Sequence, residues 1–166
     1  MAAQEPEPHV LVSWSQYVAA VRGSVSDRYA RFYAPLALGM LALAFAPLFD
    51  RVVVLDASGA ERYRADYGTV FEMAGRPGGG PAQIGVVLLA ALVACLTVAA
   101  FRVRGPVLPG ASAALAAVVA LMLITKPGTG SPAPHLTGFG AAGLALALCA
   151  VVLGVAHAVH MALLPK

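Results

Sequence analysis

The chain has 166 residues, of which 60% are apolar and only 11% charged, against about 25% charged in an ordinary soluble domain. That composition excludes a water-soluble globular fold, and four helices of about 20 residues, enough to cross roughly 30 Å of hydrocarbon, would leave no room for a second folded domain. The net charge of +3 comes from interleaved signs with no basic cluster, so the lipid bilayer is the expected counterpart and nucleic acid is not.

Met1 to His9, where Glu5 and Glu7 alternate with Pro6 and Pro8, has too little apolar surface to offset its ordering entropy and is expected to be a disordered tail. From Val10 to Val25 the residues Val10, Trp14, Tyr17, Val18, Val21 and Val25 recur at helical spacing, with Ser13, Gln16, Arg22 and Ser24 largely elsewhere on the wheel. The segment is too polar to span, so an interfacial amphipathic helix is expected, anchored by Trp14 and Tyr17. Packing on a partner protein is the competing reading, because an apolar stripe alone cannot tell lipid from protein. Arg28, Arg31 and Tyr33 belong to a charged and aromatic collar at the membrane interface.

The first apolar run, Ala34 to Phe49, begins with Pro35 at an expected first turn and is bent or stopped by Pro47. Ala44-Phe45-Ala46 resembles a signal cleavage site, but the long acidic segment before it is unlike a signal peptide. Next, Arg51 to Leu55 and Glu61 to Arg64 flank a Gly-containing turn and predict a β-hairpin. Asp66 or Thr69 can cap a helical turn over Val70 to Ala74, and Gly75 to Pro81 ends regular structure. Ala82 to Phe101 is an uncharged run long enough to span. Arg102 to Pro106 is a connection so short that Val107 to Thr125 must return antiparallel. After a Pro- and Gly-rich loop, Gly138 to Leu164 is the last span, long enough to tilt.

The expected fold is therefore an all-α membrane protein, a four-transmembrane-helix bundle with spans at about 34–49, 82–101, 107–125 and 138–164. The interfacial amphipathic helix and collar cover 10–33, and a small β-hairpin-containing outer loop, 50–81, lies between helices 1 and 2. Arg22, Arg28, Arg31, Arg102, Arg104 and Lys166 would face the cytoplasm, and Arg51, Arg62, Arg64, Arg76 and Lys126 the exterior, which favours both termini inside. Arginine far outnumbers lysine and asparagine is absent, a codon signature of a GC-rich bacterium, so the bacterial inner (plasma) membrane is the expected location.

No motif names a reaction, and no catalytic set or cofactor is predicted. No span carries a charge in its middle, the usual mark of an ion path or proton relay. His157 and His160 share a helical face and are weak metal candidates, but two ligands do not close a site, and an interfacial histidine pair is the plainer reading. Asp50, Asp56, Glu61, Asp66 and Glu72 offer acid/base or Ca²⁺ chemistry only without a defensible spacing, and the neighbouring arginines can pair with them. Gly78-Gly79-Gly80 lacks the following Lys-Ser/Thr of a phosphate loop. Cys95 and Cys149, both in apolar runs, read as packing residues at similar depth.

The packing signal is clearer. Gly138, Gly140, Gly143 and Gly154, with alanines in the third and fourth spans, let helix backbones approach closely. The function expected from these features is a non-catalytic accessory or interaction subunit of a larger bacterial membrane complex, joined to other integral membrane subunits. Tyr63, Tyr67, Phe71 and Arg76 of the outer loop are its expected partner contacts. The alternatives are a membrane-embedded lipid-handling enzyme using loop carboxylates, with Arg76 on an anionic group, or an oligomeric channel or transporter lined by Thr97 and Ser112.

Overall fold

The computed structural model describes residues 13–65, 67–76, 80–101, 105–125 and 134–164, with backbone alone at Tyr63 and Ala65. The tail, Val10, Asp66, most of the glycine run, Arg102, Arg104, Lys126 and Lys166 lie outside the described residues. Seven elements follow in order: α1 (Trp14–Ala44), β1 (Val52–Leu55), β2 (Glu61–Ala65), α2 (Val70–Ala74), α3 (Gly80–Phe101), α4 (Val107–Thr125) and α5 (Gly138–Leu163). The helices α3, α4 and α5 are long and apolar enough to cross a membrane. On α3 only Leu92, Leu96 and Ala99 are buried. Most of its remaining surface is apolar too, Gln83 and Thr97 excepted, which suits a helix able to cross a membrane.

The first correction concerns α1. The surface-lying helix and the first apolar run are a single helix from Trp14 to Ala44. Ser13 caps it with Gln16: the Ser13 Oγ accepts from the Gln16 N–H (3.4 Å), and the Gln16 carbonyl Oε1 accepts from the Ser13 N–H (3.2 Å). No glycine or proline interrupts Ser24 to Ala34, so the helix passes through the collar. Pro35 consequently sits in the helix interior, not at a first turn, and its missing N–H leaves the Arg31 carbonyl without its usual donor. The helix ends as Pro47 predicts, with Phe45 at the C-cap.

Along its buried face α1 runs antiparallel to α5. The Arg22 guanidinium Nη2 donates to the Leu164 carbonyl at one end (3.3 Å), Gly39 meets Leu146 further along, and the Leu48 carbonyl lies against Gly140 at the other end. Helix α4 returns antiparallel to α5, with Pro109 and Ala113 on Gly154, and Leu123 by Gly143. Tyr33, Met40, Leu92, Leu96, Leu123 and Ala147 belong to the core between these helices.

The hairpin end of the bundle is closed by a cap. The expected hairpin is present, β1 pairing antiparallel with β2 and carrying a bulge where Leu55 faces Glu61, so that Arg62 is the extra residue. Its turn is held by Asp56, whose carboxylate accepts from the Ser58 hydroxyl (2.5 Å), the Ser58 N–H (2.8 Å) and the Ala60 N–H (2.9 Å). Those bonds, the Ser58 hydroxyl foremost, hold the Asp56 carboxyl below the usual carboxylate range. The turn closes through Gly59 at φ +82°. Thr69 and Glu72 form a capping box on α2, the Thr69 N–H donating to Glu72 Oε2 (2.8 Å) and the Glu72 N–H to Thr69 Oγ1 (3.2 Å). A bridge between Phe49 and Leu136 ties the chain after α1 to the chain before α5. Thr137 secures it, donating from its hydroxyl to the Pro47 carbonyl (2.6 Å) while accepting from the Gly140 N–H at the start of α5 (3.0 Å).

Candidate functional site

Two places in the described residues concentrate features beyond simple packing. The first is a seam between the amino-terminal half of α1 and the last turns of α5. Arg22, Ser26, Tyr29 and Tyr33 are spaced by four, three and four residues, so they share one face of α1. His157, His160, Met161 and Leu164 do the same on α5. The antiparallel alignment brings them together in order. Tyr33 and His157, both 0% exposed, meet with the Tyr33 hydroxyl 3.0 Å from His157 Nδ1. The Tyr29 ring stacks on the His157 imidazole at 4.3 Å and 5°, and its hydroxyl lies 3.4 Å from His160 Nδ1. The Ser26 hydroxyl donates to the Met161 sulfur at 3.7 Å. His157 Nε2 is buried with no hydrogen-bonding partner among the described residues.

This geometry corrects the expectation for Tyr33, which is a core residue and not an interface anchor. The collar position was legible, but the helix phase that turns Tyr33 inward between exposed Arg31 and half-buried Ala34 was not used. His157 is likewise buried, while His160 is exposed. Each histidine has its Nδ1 beside a tyrosine hydroxyl, and among the described residues no group of three His, Cys, Asp or Glu side chains could hold a metal ion. Trp14 and Tyr17 are exposed and stacked on each other at 5.8 Å, and Arg28 and Arg31 are exposed on the same helix.

The second place is an apolar cavity of about 170 Å³ at the hairpin end of the bundle, partly open, roofed by α2. Met40 of α1, Met73 of α2, Ala82, Gly85 and Leu89 of α3, and Met122 of α4 contribute to its walls. Among the described residues Thr125 supplies the one polar side chain of the lining, whose hydroxyl donates to the Met122 carbonyl (3.3 Å). The roof is braced twice. Gln83 Nε2 donates to the Ala74 carbonyl (3.1 Å), joining α2 to the first turn of α3, and Phe71 meets Phe45 at 5.3 Å, joining it to the end of α1. Gln83 escaped sequence reasoning because one amide at the edge of an apolar run carries no periodic signal.

The remaining expected residues divide. Phe71 and Arg76 are exposed, whereas Tyr67 is half-buried against Phe49 (6.3 Å) and packs on the core; the Tyr63 side chain lies outside the described residues. Of the described loop carboxylates, Asp56 holds the turn and Glu72 caps α2, while Glu61 lies 3.6 Å from Arg64. Gly140 and Gly154 sit at close backbone approaches, Gly143 is buried at ordinary contact, and Gly138, expected to pack, has nothing within 4 Å of where a Cβ would stand. Cys95 is half-buried and Cys149 exposed, so Cys149 is not a packing residue inside the chain. Thr97 is exposed and bonds its own helix at the Val93 carbonyl (2.7 Å), while Ser112 is buried and does so at the Leu108 carbonyl (3.0 Å). No family model, curated protein or solved structure matches this chain.

Proposed function

We propose that this chain is a small accessory subunit of a larger membrane assembly in a bacterial inner membrane, crossing the bilayer four times with both termini cytoplasmic. The observation that carries the reading is the braced outer cap with an apolar surface left uncovered. Phe45 is 67% and Phe71 44% exposed although they touch each other, and Leu55 on the hairpin is exposed as well. A rigid, outward apolar patch beside an exposed arginine is the anatomy of a protein contact. The course of α1 supports the fourth crossing, since it follows α5 from Leu164 to Gly140 and α5 is itself long enough to span.

The test is to tag the carboxyl terminus, extract the protein from its native membrane in mild detergent and identify stoichiometric companions by mass spectrometry. Recovery with a larger assembly from the wild type, lost in Phe71→Ala/Arg76→Ala at equal expression, is the expected result. Recovery of the wild type as a monomer or homo-oligomer alone would remove the accessory reading.

A further inference from the structure

We propose that the cavity beneath α2 binds a single hydrocarbon chain, the tail of a membrane lipid, entering at the outer end of the bundle. This goes beyond the partner reading and rests only on α3, α4 and α5 crossing a membrane. The volume, about 170 Å³, exceeds the roughly 150 Å³ of an engineered apolar cavity that stays dry and takes up benzene. A buried water needs two to four polar partners. Among the described residues Thr125 supplies the only polar side chain in the lining, and its hydroxyl already donates to its own helix. The described lining therefore offers a water few partners and favours methylenes.

The shape suits a chain rather than a head group. From Ala82 to Leu89 the lining follows α3 for about 10 Å, at 1.5 Å per residue, from the helix end toward the middle of the bundle. Met40, Met73 and Met122 line it, and methionine side chains adapt to a flexible guest more readily than branched ones. Around the same ends of α3 and α4, Ile84, Val87, Leu121 and Ile124 are exposed. Those residues would be bathed in hydrocarbon, so the occupant at highest local concentration is a lipid chain. A protein side chain would have to cross the same apolar rim to compete.

The experiment uses the full chain in lipid nanodiscs doped with two photoreactive probes, a phospholipid with a diazirine at the acyl terminus and an isoprenoid quinone with one on its tail. The expected result is crosslinking to peptides containing Met73 or Met122 by at least one probe. The phospholipid alone identifies an acyl occupant, and the quinone alone an isoprenoid one. In Gly85→Leu a Cβ fits 3.6 Å from the Met122 Cε and the rest of the side chain fills the space. Crosslinking should then fall roughly tenfold, equivalent to about 1.4 kcal/mol of lost affinity. Thermal stability should hold or rise, because a helix-interior glycine and a void are both removed. Ala82→Leu, which narrows the cavity from α3's first turn, should act in the same direction if Gly85→Leu misfolds. Labelling confined to outward residues such as Ile84 and Val87, or unchanged in a folded filled variant, would overturn the proposal.

Discussion

Tyr33 and His157 show how much a single buried pair can decide. His157 Nε2 is buried without a partner among the described residues, so the imidazole depends on Tyr33 for its one hydrogen bond. Tyr33→Phe would leave both ring nitrogens unsatisfied, at a cost of about 1–3 kcal/mol, whereas replacing both partners by apolar groups of similar shape is close to neutral. Thermal unfolding in detergent should therefore show Tyr33→Phe clearly destabilised and Tyr33→Phe/His157→Leu restored toward wild type. Additive losses would mean that the hydroxyl and the imidazole are not coupled. The three-residue spacing of His157 and His160 was legible in the sequence, and so was the aromatic collar. What was not legible was that they face each other, because that needs α1 and α5 in antiparallel register, a fact carried by contacts more than 120 positions apart.

At the scale of elements, the glycine pattern of α5 announced close packing without saying where. A Cβ at Gly154 would stand 2.7 Å from the Pro109 carbonyl oxygen and 2.9 Å from the Ala113 Cβ, so α4 would have to move. Gly154→Ala should cost about 1–3 kcal/mol, the usual range for overpacking. Adding Ala113→Gly should recover only part of it, since the Pro109 carbonyl belongs to the backbone. Gly138→Ala, with open space around the site, should leave the melting temperature unchanged or slightly raised. Equal losses at Gly154 and Gly138 would mean that the helices do not approach as described. The hairpin and α2 were readable for a different reason: a Gly-containing turn after Asp56 and the Thr69 to Glu72 spacing are local devices that need no tertiary knowledge. The continuity of α1 is not legible in the same way, because the change from polar to apolar composition near Ala34 marks a change of surroundings and not a break in the helix.

For the whole molecule the decisive question is whether α1 crosses the membrane with α3, α4 and α5. From Arg22 to Ala44 the helix rises about 33 Å at 1.5 Å per residue, but its uncharged part, Phe32 to Ala44, rises only about 18 Å against the roughly 30 Å of hydrocarbon. Because it lies along α5, a tilt that carries α5 across carries α1 across too. Arg28 and Arg31 then lie about 9 and 14 Å along that rise from Arg22, so a crossing requires their long side chains to reach back toward the head groups. In a chain with Cys95 and Cys149 replaced by alanine, single cysteines at exposed Ser24 and Ser58 separate the possibilities. With four spans and cytoplasmic termini, a membrane-impermeant maleimide applied to intact cells labels Ser58→Cys, and labels Ser24→Cys only after permeabilisation. Labelling of both from outside would mean that α1 stays on one side, and the reciprocal pattern would keep four spans while inverting them. In a four-span molecule of either hand, the cap and the apolar cavity open toward one face and the tyrosine–histidine seam lies near the other, so the two sites answer to opposite leaflets of the bilayer.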